Sequence, residues 1–242
     1  MKASLAWIAL LTGCSASIDS PEPDSTADTA ETGEAQATPE VLATVQVLNP
    51  MTGSGMKGIA ISGGSEEVKT QTGGTAEVSI HANEAFGLRL KSEKILDHLL
   101  FGTAGDDNFD LITFAGTPST SDAVLGMLGL AWESETGMVV VGVDYSNWAP
   151  VSGAQVSLSA DTAPAFVLAS NGMPSLSDTV PENGMGMVSF VNVPAGEVSV
   201  EVLAPIGVTC SPYPSGENYD TVPVESSVVT VVSVQCRSES DQ

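Results

Sequence analysis

From Val41 to the C-terminus the chain is written in short runs in which apolar and polar residues alternate, each closed by Gly, Pro, Asn or Ser. Val45 and Val47 alternate with polar neighbours before the turn Pro50-Met51-Thr52-Gly53. Gly58 to Ser62 forms a second run, Thr72-Gly73-Gly74 turns into Ala76 to Ile80, and Phe86, Leu88 and Leu90 alternate strictly. A period of two places successive side chains on opposite faces of a sheet, so this texture predicts half-buried strands joined by tight turns. One segment carries a helical spacing instead. Over Ser121 to Ala131, residues Val124, Leu125, Leu128 and Ala131 share a face, with Ser121 or Asp122 as the N-cap and Gly126 and Gly129 weakening it.

The second half repeats the first. Met138 to Val143 matches Ala43 to Leu48, and Gly153 to Ser157 matches Gly58 to Ser62, both at an offset of 95. After an insertion of 17 residues between Ser157 and Gly186 the offset is 112. Gly186 then falls on Gly74, Phe190 on Val78, and Val198, Val200 and Val202 on Phe86, Leu88 and Leu90. Any two β-rich segments align somewhere, but here glycines, turns and inward-facing positions agree together, which favours a tandem repeat.

The motif Pro-Val-x-Gly-Ala-x-Val-x-Leu (Pro150 to Leu158) is followed by Val-x-Phe-x-x-Val-Pro-Ala-Gly-x-Val-x-Val-x-Val (Val188 to Val202). This order resembles the carboxypeptidase-regulatory, prealbumin-like β-sandwich modules of bacterial surface proteins. The likeness covers most of Gly137 to Arg237 and, more faintly, Val41 to Lys91. The family's usual Thr-Asp before the turn glycine is replaced by Thr72-Gly73-Gly74 in the first copy and Pro181-Glu182-Asn183-Gly184 in the second. The resemblance implies a folding and interaction module with no activity of its own.

The N-terminus carries an address. Lys2 precedes the apolar run Ala3 to Leu11, and Leu11-Thr12-Gly13-Cys14 follows. The run is too short to span a bilayer as a helix and reads as a signal peptide. Its last four residues resemble the lipobox of bacterial lipoproteins, which implies a diacylglyceryl group on the Cys14 thiol, cleavage before it and acylation (palmitate or a similar chain) of the new amino terminus. The alternatives are an ordinary signal peptide with an incidental cysteine, or a buried helix. Two or more acyl chains anchor a protein stably, at about 0.8 kcal/mol per buried methylene. Ser15 after the cysteine is compatible with delivery to the outer membrane.

The rest of the composition agrees with an envelope protein held by lipid. Acidic residues number 30 against 7 basic, a net charge of −23 that becomes −24 once Lys2 leaves with the leader. Such a chain has no electrostatic footprint for nucleic acid and is repelled by anionic headgroups. Residues 15–40 are rich in Ser, Thr, Ala, Pro and acids (Asp19, Glu22, Asp24, Asp28, Glu31, Glu34 and Glu40). They bury too little to offset ordering and act as a spacer of about 28 Å root-mean-square or more. No later stretch approaches 18 consecutive apolar residues, so no transmembrane helix is expected. With Cys14 assigned to lipid, the remaining two of the three cysteines, Cys210 and Cys236, either pair or stand as two buried thiols. An oxidising compartment and strand parity favour a disulfide, worth about 3 kcal/mol for a loop of about 26 residues.

Candidate chemistry is sparse. His81 ends a predicted strand and His98 sits in the apolar stretch Ile95 to Phe101, with no zinc spacing, no His-Glu-x-x-His and no Gly-x-Ser-x-Gly. Both read better as structural than as catalytic residues. Asp106, Asn108 and Asp110 match the first three ligands of a calcium loop, but Leu111 and Thr117 stand where Gly and a bidentate Glu are required, so a solvated acidic turn is the better reading. Among Trp132, Tyr145, Trp148, Tyr213 and Tyr219, the pair Tyr145 and Trp148 lies in a loop before Pro150 and is the candidate for stacking a sugar or other ligand.

These readings predict an all-β chain. Residues 1–13 are a signal peptide and 14–40 the lipidated cysteine with a disordered acidic linker. Residues 41–131 form one Ig-like or prealbumin-like β-sandwich with a short helix near 121–131, and 132–242 form a second. The expected function is that of a lipid-anchored surface protein with a structural or binding role, without catalysis or cofactor. Its partners are the membrane and an envelope protein or a glycan. A glycan- or calcium-dependent adhesion module is the alternative, and an envelope hydrolase comes third.

Overall fold

The computed structural model describes residues 38–239. The predicted leader, Cys14 and all but the end of the acidic linker therefore lie outside the described residues. In the first repeat the strands are β1 (Glu40–Leu48), β2 (Ala60–Ser62), β3 (Val68–Lys69), β4 (Thr75–His81), β5 (Ala85–Lys91), β6 (Asp97–Thr103) and β7 (Phe109–Phe114). A helix, α1 (Pro118–Met127), leads to β8 (Thr136–Tyr145), β9 (Gln155–Leu158), β10 (Phe166–Ala169), β11 (Pro174–Leu176) and β12 (Gly184–Pro194). The chain closes with β13 (Gly196–Leu203), β14 (Val208–Tyr213), β15 (Tyr219–Val224) and β16 (Val228–Ser238). Among the described residues no helix is long and apolar enough to cross a membrane.

The repeat is visible in the pairing. β1 pairs β4 antiparallel and β7 parallel, while β8 pairs β12 antiparallel and β16 parallel. In the other layer β2 pairs β5 and β5 pairs β6, as β9 pairs β13 and β13 pairs β15. Ile61 opposes Leu90, and 95 and 112 residues later Val156 opposes Val202. Each half is thus a sandwich of alternating strands, and the fold is all-β as expected. The insertion in the second half supplies the hairpin β10–β11, which lengthens the sheet beyond β12.

The two sandwiches share a sheet. A ten-stranded sheet runs β11-β10-β12-β8-β16-β6-β5-β2-β3, with β14 also on β16. Its continuity rests on the parallel pairing of Val228–Val231 in β16 with Asp97–Leu100 in β6. The small sheet β4-β1-β7 covers the first-repeat half on one face, around Val45, Val47, Ile61, Val78, Leu88 and Leu90. The small sheet β15-β13-β9 covers the second-repeat half on the other face, around Val141, Val156, Val188, Val198, Val222 and Val232. The layers are therefore stepped. Side chains such as Leu88 and Ile61, each 0% exposed, contribute about 1.5–3 kcal/mol apiece by leaving water.

Four expectations change in detail. First, β1 aligns with β8 at an offset of 96, not 95: Val45 opposes Ala76 where Val141 opposes Val188, and Val139, Val141 and Val143 face the second core. The run Met138 to Val141 is apolar on both parities, so alternation does not fix its register. Second, the helix starts at Pro118 and not Ser121, with Thr117 as N-cap accepting from the Thr120 N–H at 3.1 Å. It ends at Met127 and not Ala131, because Gly129 at φ +72° allows Leu130 N to reach Leu125 O and Gly129 N to reach Gly126 O. Third, the linker ends before Glu40, which opens β1 and accepts hydrogen bonds from the hydroxyls of Ser65 and Ser79. Fourth, the stretch around Asp110 is not a turn throughout, since β7 begins at Phe109.

Cys210 and Cys236 are joined in a disulfide, directly opposite each other in the β14–β16 ladder. Between the repeats, Asn192 at φ +60° makes a bulge in β12 whose side chain accepts from Glu133 N and donates to Ala131 O, pinning the connecting segment.

Candidate functional site: an apolar cleft at the step between the sandwiches

The face of β8, β12 and β16 turned away from sheet β15-β13-β9 is only partly covered. There the structure holds a cleft of about 410 Å³, a size in the usual range for small-molecule sites. Its floor is Met138, Val140 and Gly142 of β8, Met185, Met187 and Ser189 of β12, and Val229, Val231 and Ser233 of β16. The inserted hairpin adds Phe166 and Leu168. The walls come from the first repeat and its helix: Leu48, Pro50 and Met51, the β7 residues Ile112 to Phe114, and Val124 and Leu125 of α1. The second face of β8 is thus the floor of a ligand-sized space, which is why the run Met138 to Val141 is apolar on both parities.

Polar groups on this lining are few. Asp144 stands at one end beside Trp148 and Pro150. Its carboxyl has no hydrogen bond or ion pair to any described residue, and burial raises its pKa from 3.8 to about 7. The space it occupies exists because residue 186 is glycine at φ +68°: a Cβ there would lie 2.2 Å from Asp144 Oδ1. Thr113, also on the lining, is 2% exposed and its hydroxyl has no partner among the described residues. An unpaired buried hydroxyl costs about 1–3 kcal/mol, so few such groups survive without a use.

His98 also lines the cleft, with Nδ1 at 2.7 Å from Leu96 O. Burial pushes its pKa below the usual histidine value, partly opposed by backbone hydrogen bonds with Leu96 and Phe114. The ring is therefore a neutral core group tied to main chain. His81 is exposed at the end of β4.

The other singled-out residues fall elsewhere. Asp106 Oδ1 accepts from Asn83 Nδ2 at 2.6 Å and Asn108 Oδ1 from Leu42 N at 2.8 Å, while Asp110 lies on the exposed face of β7. Both loop oxygens are thus engaged in holding the loop to its neighbours. Among the described residues no cluster of three or more His, Cys, Asp or Glu side chains is placed to hold a metal. Trp148, at φ +62°, stands edge-on to Tyr213 with ring centroids 5.7 Å apart, and Tyr213 meets Phe109 in the same way at 6.3 Å. This aromatic line crosses from the second repeat to the first. Tyr145 packs against the second core rather than joining Trp148 in the cleft.

Asp144, Thr113 and the methionines were missed from sequence. The available signal was a strand apolar on both parities that then ends in an acid, Met138-Val139-Val140-Val141-Gly142-Val143-Asp144.

No protein-family model matches the chain, and no curated protein sequence matches it. Solved structures similar to it include the Bacillus anthracis TIE protein, at 11% identity and a TM-score of 0.27 over 81% of this chain and 34% of that one. GBS52, the minor pilin of Streptococcus agalactiae, is 12% identical with a TM-score of 0.30 over 82% and 96%. A streptococcal ancillary pilin is 11% identical with a TM-score of 0.27 over 84% and 63%. The chain therefore spans about a third of the first of these and under two thirds of the third. Superpositions at this level align strands without establishing a common fold.

Proposed function

We propose that the chain is a lipid-anchored surface protein of the bacterial envelope, a non-catalytic module that binds through the cleft at the step between its sandwiches. Four features support the reading: the order of charge, apolar run, small residue and cysteine before Cys14, the acidic spacer after it, the likeness to prealbumin-like modules, and the disulfide. The observation that carries the binding role is the cleft itself, built by both repeats and the inserted hairpin yet left open, with a carboxyl inside that no described residue meets. A negative surface repelled by anionic lipid is consistent with a protein that relies on acyl chains to stay at the membrane.

Metabolic labelling with an alkyne fatty acid, followed by membrane fractionation, tests the anchor. The full chain is expected to carry label and sediment with membranes, and Cys14→Ser to lose both. An unlabelled wild type, or a Cys14→Ser chain that still carries label, contradicts it.

A further inference from the structure

We propose that the cleft is a site for a small amphiphile with an apolar body and one cationic amine, the body lying on the methionine-lined floor and the ammonium against the Asp144 carboxylate. The inference rests on the binding half of the reading above and not on the anchor, so loss of Cys14 acylation would leave it standing.

Shape and lining indicate the apolar body. Met51, Met138, Met185 and Met187 all reach the cleft, and their unbranched thioethers accommodate chains of varied shape. A largely apolar space of about 410 Å³ fits a short alkyl or small aromatic body rather than a folded partner.

Charge indicates the head. A carboxylate on a lining shared with Trp148, Pro150, Gly186 and Met185 is costly unless a cation or donor meets it, and the described residues supply neither. No charged neighbour contributes to its titration, which burial alone raises. An ammonium placed there gains a charge-assisted hydrogen bond within a partly dry site and meets the ring of Trp148 at the same end. An anionic head would instead bring two like charges together.

Titration calorimetry of the purified full chain with octylamine, octanol and octanoate, above the pH at which Asp144 ionises, decides it. Octylamine is expected to bind with one-to-one stoichiometry at least about tenfold tighter than octanol, as one charge-assisted hydrogen bond warrants, and octanoate weakest. Asp144→Asn, which is nearly isosteric, should abolish the preference for the amine while keeping octanol binding. Val140→Trp, which fills the floor, should abolish all three, with near-ultraviolet circular dichroism verifying the fold. Equal affinities for octylamine and octanol, an amine preference that survives Asp144→Asn, or no binding of any probe would overturn the proposal. An amine preference insensitive to Asp144 would mark diffuse attraction to a surface of net charge −23.

Discussion

Asp144 is the described carboxyl whose surroundings most oppose its own charge, and stability should register this. Its folded pKa is raised to about 7 from 3.8, so the protonated form is the one the fold prefers. The stability tied to that proton is fully present below the unfolded pKa and is lost as pH rises through about 7, by at most about 4 kcal/mol. Glu225 runs the other way. The Arg89 guanidinium hydrogen-bonded to it lowers its pKa, so its smaller contribution appears above the unfolded value and fades in acid. The wild type should therefore lose melting temperature between about pH 4 and about pH 7, whereas Asp144→Asn should flatten that slope and melt higher at and above about pH 7. Thermal denaturation across that range checks it, and a slope unchanged by the substitution would contradict it. Gly186→Ala tests the same spot sterically: a Cβ 2.2 Å from the carboxyl oxygen, on a residue at φ +68°, should cost roughly 1–3 kcal/mol in urea denaturation.

At the scale of elements, α1 shows how local chemistry sets boundaries that apolar spacing misses. The face Val124, Leu125, Leu128 correctly locates a helix, but Thr117-Pro118 starts it and Gly129 stops it. Thr117→Ala should cost about 1 kcal/mol through the lost cap. Leu88→Ala, in the middle of β5 and 0% exposed, should cost about 2–5 kcal/mol. Strands bearing one core-facing side were legible: β4 and β5 match their alternation closely. β8 was displaced by one residue because its run Met138 to Val141 is apolar on both parities. β7 was obscured because Asp106, Asn108 and Asp110 suggested a metal loop, although Phe109, Leu111 and Thr113 carry the alternation of a strand.

At the scale of the whole molecule, the repeat could be read from sequence, whereas the way the repeats join could not. Nothing in β6 or β16 announces that Val228–Val231 will pair with Asp97–Leu100, since neither run alternates apolar with polar residues in a way that fixes a partner or register. The cleft was hidden for the same reason: its walls come from the first repeat and α1, and its floor from the second repeat. Removing the Cys210–Cys236 bridge by a double Ser substitution should destabilise the second repeat by about 3 kcal/mol. Because the sheet is continuous, that loss should lower the stability of the first repeat as well.

Native-state hydrogen exchange tests the joining of the repeats directly. If β16 and β6 make the two sandwiches one body, the slowest amides of β1 and β5 and those of β8 and β13 should open with the same free energy, and the double Cys→Ser variant should lower both sets equally. First-repeat amides that stay protected while the second repeat exchanges freely would contradict it.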